Sequence, residues 1–265
     1  MSVTTDYARS SRRGAGRPNR AGFTLMEILT VMVIIGILAG MISTAAYYAR
    51  VATMEGLINK ELGDLHQAIE AYKAEMGEYP PDGTDPAAVK RHLRKAFHYT
   101  GPAPDLEPCK ALVFWLGGVI NEDGVPMGFS DSRTTPFDNT NTNRIGPFYE
   151  FDPTRIVPSP NSPGGEYLSN GFGAGDDVDS FVYFRAEKAT GYAGKQSCCG
   201  TKPYMSTDPK TAGEWVNPDS FQIHSPGLDG IHGGGTQYPS GEDYQEVDYD
   251  DQTNFSGGTL KNKLP

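Results

Sequence analysis

The sequence predicts an α+β fold in which one long N-terminal helix packs its second half against a small antiparallel sheet with long loops. Three observations carry this expectation. An uncharged apolar run passes without a break into an amphipathic helical repeat. The short β-branched and aromatic runs come late in the chain. Most of the 32 glycines and 20 prolines lie beyond residue 76, where they favour loops over helix. At 265 residues the chain is long enough to bury a core of its own.

The first element is the stretch Gly22 to Arg50, GFTLMEILTVMVIIGILAGMISTAAYYAR. From Ile28 to Ala49 it holds no charged side chain, enough helix to span the roughly 30 Å of a bilayer's hydrocarbon core. Glu27 stands just before the run, and Gly36 and Gly40 form a GxxxG spacing inside it that lets helices approach closely. Five arginines (Arg9, Arg12, Arg13, Arg17, Arg20) precede the run against one acid, Asp6. The positive-inside rule therefore places the first residues in the cytoplasm and everything after Arg50 beyond the membrane. An ordinary secretory signal would instead show a small-residue cleavage site after a shorter apolar run.

The helical pattern continues past the span. Ile58, Leu62, Leu65, Ile69, Tyr72 and Met76 recur at spacings of four and three, with Lys60, Glu61, Asp64, Glu70, Lys73 and Glu75 over much of the remaining surface. Gly77 and Pro80-Pro81 supply the stop, so one helix of roughly 80 Å is expected from about Thr24 to Met76. A short basic helix from about Pro86 to Phe97 follows. Another opens at Glu107-Pro108, runs through CKALVFWLGG and ends at Gly117 and Gly118. The clear strands are Asp179 to Arg185 and Ser220 to His224. The stretches Thr134 to Arg144 and Pro158 to Gly175 read as connections, and no internal repeat is evident.

Charge and motifs narrow the function. The formal charge is -10, and because the basic residues crowd the first 22 positions, the rest of the chain is more acidic still. Such a body has no large basic face for phosphates, so no nucleic-acid partner is expected. The histidines His66, His92, His98, His224 and His232 form no HExxH pattern and no serine sits in a GxSxG elbow, so no enzyme is expected. GFGAGDD, Gly171 to Asp177, lacks the preceding strand and following helix of a phosphate loop and reads as a turn. Cys109, Cys198 and Cys199 would lie outside the cytoplasm, where one of the adjacent pair can join Cys109 and leave one thiol over.

Gly22-Phe23-Thr24-Leu25-Met26-Glu27 resembles the processing motif of type IV prepilins. The resemblance implies that a prepilin peptidase of the inner membrane cuts after Gly22 and methylates Phe23. It divides the chain into a leader (1–22, removed), a transmembrane and polymerisation helix (23–50), its amphipathic continuation (51–79) and a periplasmic globular domain (80–265). A carboxylate at the edge of an apolar span is costly without a partner, and nothing in the neighbouring sequence stands out as one for Glu27. The resemblance implies pairing with the new N-terminal amine of the adjacent subunit, a device for register rather than stability.

GEYPPDG, Gly77 to Gly83, resembles the loop that ends the long helix in the major pseudopilins of type II secretion systems. SPGLDGIHGGG (Ser225 to Gly235) and GEDYQEVDYDDQTNF (Gly241 to Phe255) are similar to their C-terminal loop, where a turn and a later pair of aspartates hold calcium. By motif position the ligands here are Asp229, Asp250 and Asp251, and calcium suits carboxylates and carbonyls in irregular geometry. The chain departs from that pattern in a longer insertion and in the extra acids Glu242, Asp243, Glu246 and Asp248. The resemblance implies a structural subunit that self-associates into a helical filament, with prepilin peptidase, an inner-membrane assembly platform and minor pseudopilins as partners. Two other readings remain open: a type IV pilus subunit for adhesion or motility, and a membrane-tethered glycan-binding module built on the 14 tyrosines.

Overall fold

The computed structural model describes residues 22–121, 123–132, 134–159, 164–170 and 178–265; residues 1–21 of the expected leader and the glycine-rich stretch 171–177 lie outside them. Helix α1 covers Leu25–Met76. No proline interrupts it, and Gly77, at φ 83°, closes it by donating to Lys73 O at 2.8 Å. Compact units meet at Tyr48 and Ala49.

In the first unit the helix is exposed on every side, and it is long and apolar enough to cross a membrane, with a mean hydropathy of 2.5 over its most apolar window. Three of its aliphatic hydroxyls bond back to the helix. Thr30 Oγ1 donates to Met26 O at 2.8 Å, Ser43 Oγ to Ala39 O at 2.8 Å and Thr44 Oγ1 to Gly40 O at 3.1 Å. Back-bonding of this kind satisfies polar groups where hydrocarbon would surround them.

In the second unit α1 buries Ile58, Leu62, Leu65, Ala68, Ile69 and Tyr72, the stripe that the periodicity marks, while Met76 packs half-buried against the same core. Opposite lies a π-helical turn, Val113–Gly117, all five residues of which are buried. The expected helix after Pro108 is thus present but widened to the π form, and it is apolar all round because it is enclosed all round. Gly118 ends it at φ 75°, where a Cβ would collide with the backbone of Gly128. Trp115 Nε1 donates to Pro81 O at 2.7 Å and Tyr183 OH to Pro80 O at 2.8 Å. The carbonyls behind the helix stop therefore take the polar tips of two core aromatics.

A single carboxylate ties α1 to the far side of the domain. Glu61 accepts from Arg155 Nη1 at 2.8 Å, Arg155 Nη2 at 3.0 Å, Tyr167 OH at 2.8 Å and Tyr149 OH at 3.3 Å. The bidentate Arg155 fork sets the geometry, and both phenols add their bonds to Oε1. Arg155 also stacks on the Tyr167 ring at 4.3 Å.

Helix α2, Pro86–Phe97, begins as the sequence predicts: Asp85 caps it by accepting from Ala87 N at 2.9 Å, and Pro86 opens the first turn. It buries Ala88, Val89, His92, Leu93 and Phe97. Burial keeps the His92 pKa below its usual value. The neutral ring fits a relay in which Nδ1 donates to Glu78 Oε1 at 2.7 Å and Nε2 accepts from Tyr72 OH at 2.8 Å. The bond from His92, with a second from Lys95 at 2.6 Å, holds Glu78 at about 2.

The strands are short. β1 (Phe129–Ser130) pairs antiparallel with β2 (Arg144–Ile145), and β3 (Ile156–Pro158) with β4 (Gly165–Tyr167). The main sheet is antiparallel in the order β5 (Val182–Arg185), β7 (Phe221–Ser225), β9 (Gln252–Thr253), with Val182 opposite His224 and His224 opposite Thr253. β6 (Met205–Ser206) and β8 (Gln237–Tyr238) form a parallel pair that the sequence does not announce. Two expected connections also need correction. β4 falls inside the stretch from Pro158 to Gly175, concealed by Gly165, where a Cβ would meet Val157 O at 2.7 Å; β2 begins at Arg144, the end of the other. A disulfide joins Cys109 to Cys198, leaving Cys199 as the thiol, which burial pushes up to about 11.

Candidate functional site

The N-terminal site begins at Gly22 and Phe23, both exposed and ahead of the helix. Thr24 N and Thr24 Oγ1 both donate to Glu27 Oε2, at 3.1 and 3.2 Å, and Glu27 N donates back to Thr24 Oγ1 at 3.2 Å. This is a capping box, the arrangement that T-x-x-E favours at a helix start. It corrects the expectation that Glu27 has no partner nearby: the residue three places earlier satisfies part of the carboxylate and orients it along the exposed rim of the helix. Leu25, Met26 and Phe23 around it are more than two-thirds exposed. That apolar collar is ready for contact with lipid or another helix.

The second site is the irregular loop from Leu228 to Tyr238, whose backbone amides are taken up almost in sequence by carboxylates. Asp250 Oδ2 accepts from Leu228 N at 2.6 Å and Asp229 N at 2.8 Å; Asp229 Oδ1 accepts from Ile231 N at 2.8 Å. Asp179 Oδ2 accepts from His232 N at 2.9 Å, Asp251 Oδ2 from Gly233 N at 3.1 Å and Asp248 Oδ1 from Gly235 N at 2.9 Å. Asp243 then takes Thr236 N at 2.7 Å and Gln237 N at 3.0 Å. A Cβ on Gly233 would run into the Asp248 carboxylate, which fixes glycine at that position. Asp248 also accepts from Gln245 N at 2.6 Å and is fully buried.

So many carboxylates in one place repel. Burial raises the pKa of Asp251 well above the carboxylate range, and the charges of Asp250, Asp248 and Asp229 raise it further. Burial also raises Asp229, with Asp250 and Asp179 adding to the effect. Asp251 Oδ1 is buried with no hydrogen-bond partner among the described residues, as are Gln252 Oε1, His232 Nδ1 and Tyr244 OH. A buried, unpartnered carboxylate oxygen amid like charges fits a hard cation.

Residues 17–43 match the family model of the prokaryotic N-terminal methylation motif. The chain carries a prepilin-type N-terminus. No curated protein and no solved structure matches it. The motif implies processing by prepilin peptidase and assembly into a filament in general, and the apolar helix is consistent with single-pass anchoring in the inner membrane.

Within this prepilin-like chain the expected site residues separate into two places. Gly22, Phe23 and Glu27 lie together at the start of α1, inside the matched segment. Asp229, Asp250 and Asp251 all brace the loop from Leu228 to Gly233. Among the described residues, however, the group of three potential ligands that converges within 4.8 Å is Glu107, Cys109 and Cys198, and the disulfide removes both sulfurs from metal chemistry. Sequence reasoning missed Asp179 and did not separate Asp243 and Asp248, turned into the loop, from Glu242 and Glu246, left outside. The glycine-rich run from Gly233 to Gly235 was the available signal, since bare backbone amides need acceptors.

Proposed function

We propose that this prepilin-like chain is a major subunit of a type II secretion pseudopilus, polymerising through α1 to drive protein export across the outer membrane. The observation that carries the reading is the joining of a methylation motif to a C-terminal loop braced by Asp250 and Asp251, similar to the calcium loop of the major pseudopilins. The unpartnered Asp251 Oδ1 supports a cation at that loop. Asp229, Asp250 and Asp251 would hold calcium, with Asp248 and Asp243 keeping the backbone in place. A bound divalent ion supplies positive charge that offsets the repulsion among these acids. The role is structural, with Glu27 at the rim of α1 as the group that meets the amine of the next subunit.

Mass spectrometry of the membrane-extracted protein is expected to find a chain starting at methylated Phe23. An intact N-terminus in a host with active prepilin peptidase would sink the reading. In isolated membranes, Glu27→Ala should leave cleavage intact and lower cross-linked oligomers; undiminished ladders would remove Glu27 from assembly. The finer assignment to secretion rests on a third result: deletion of the gene should halt export of a secreted enzyme without removing surface fibres.

A further inference from the structure

We propose that the cleft between α2 and the end of β5 receives the acidic Glu242 to Glu246 stretch of a second copy of this chain, a contact that rests on the filament reading above. The cleft, of about 510 Å³, is lined by the basic residues Arg91, Arg185 and Lys188 and by the acids Glu78, Asp85 and Glu187. The acids are already engaged. Glu78 holds His92 and Lys95, Asp85 caps α2, and Glu187 faces Lys195 at 3.8 Å. The cations are less so: among the described residues the Arg91, Arg185 and Lys188 side chains make no hydrogen bond or ion pair, and only Arg185 lies near enough for its charge to act on Glu78. Lys90 and Arg94 extend the same unpaired charge along the outer face of α2, whose sequence contains no acid.

This concentration is unusual in a chain whose formal charge is -10. Elsewhere several basic side chains are spent on internal partners: Lys60 on Asp64, Lys110 on Glu107, Arg155 on Glu61, Lys195 on Asp82. Copies this acidic repel one another unless cations on one meet acids on the next. The matching acids are exposed. In the stretch from Gly241 to Asp251, Asp243, Asp248 and Asp251 bond to the chain's own loop, while Glu242 and Glu246 point outward with no partner among the described residues. A contact between two different patches is heterologous, and repetition of such a contact produces an open helical array rather than a closed pair. The guanidinium groups of Arg91 and Arg185 suit bidentate recognition of glutamate, which makes the cleft selective for carboxylates. Single exposed pairs are weak, so several must act together and the contact must weaken with salt.

The test uses the full chain in its own membranes. Co-expressed copies carrying Lys188→Cys and Glu246→Cys are expected to form a covalent dimer on mild oxidation. Arg91→Glu with Lys188→Glu should reduce the chemically cross-linked ladder by about tenfold at an unchanged melting temperature. Adding Glu242→Lys with Glu246→Lys to that chain should restore the ladder. A ladder indifferent to the first reversal, or a loss that the complementary change fails to restore, overturns the contact while leaving the filament reading in place. A wild-type chain that yields no ladder at all removes the filament reading and the contact with it.

Discussion

The aromatic core around Trp115 and the loop from Leu228 to Tyr238 are held by opposite means. In the core, Tyr72, His92, Phe114 and Phe129 pack ring against ring on Trp115, with centroids 4.6 to 6.4 Å apart. Stability there comes from apolar area removed from water, and polar tips are few and individually satisfied. In the loop, order comes chiefly from carboxylates accepting backbone N–H groups. The first kind of order is insensitive to ions, and among its rings only His92, whose pKa burial lowers, responds to pH. The second is charged, self-repelling and therefore open to control by both.

The largest expected effect breaks the core. Trp115→Ala should destabilise the detergent-solubilised protein by about 3–5 kcal/mol, by loss of burial and a residual cavity. Calcium should leave that deficit unchanged, because the cavity lies in the apolar region. A deficit under 1 kcal/mol in urea unfolding would mean the core is not organised on this residue.

The next effect belongs to the loop. Calcium at a hundredfold excess over its dissociation constant should raise stability by about 2.7 kcal/mol over chelator. Asp250→Ala with Asp251→Ala should remove most of that gain. Identical melting of the unsubstituted protein in calcium and chelator, with no binding by calorimetry, would reduce the acids to a purely structural role.

A slightly smaller effect separates bracing from metal binding. Asp248→Ala leaves the Gly235 and Gln245 amides without their acceptor and should cost about 2 kcal/mol, in chelator as well as in calcium. If the loss appears only in calcium, Asp248 is a ligand and not a brace.

The smallest effect is the pH response. Burial keeps His224 well below its usual pKa and lowers His232 as well. A lowered folded pKa means that the unfolded chain binds protons first, so stability is full above about pH 6.5 and declines as pH falls below it. Asp251 has the opposite sign: with its folded pKa raised, ionisation costs stability as pH rises from about 4, and calcium should help most at the upper end. Melting scans from pH 5 to 8, with and without calcium, should show the two trends separately. His224→Gln should flatten the acid limb, and an unaltered limb would assign it to other groups.

Much of this was legible in the residues themselves. The apolar run, the stripe from Ile58 to Met76, the Gly77 stop and the Asp85-Pro86 start of α2 are local patterns, and each appears within a residue or two of the place the sequence predicts. The main strands were legible too, as runs of buried aromatic and β-branched residues. Other features carried no local signal. β4 is masked by the glycine its close approach demands, and Glu61 reads as one surface charge among several until Arg155, Tyr149 and Tyr167, far along the chain, enclose it.

The sequence by itself determined where the helix starts and stops, which face of it is buried, and that its first half belongs in an apolar solvent, because periodicity, capping and hydropathy act between near neighbours. It also determined that the C-terminal stretch is rich in acid. Only the tertiary structure decided what those acids do. Pairing of β7 with β9 brings Asp248 to the Gly235 amide, Asp251 to that of Gly233 and Asp250 to those of Leu228 and Asp229, so that the aspartates become inward acceptors while Glu242 and Glu246 of the same stretch stay outward. The same holds for Cys198 and Cys199, equivalent in sequence, of which one reaches Cys109. The physical reason is common to both: a hydrogen bond or a disulfide depends on distance and direction in space, and a short polar side chain carries neither until the backbone around it is fixed.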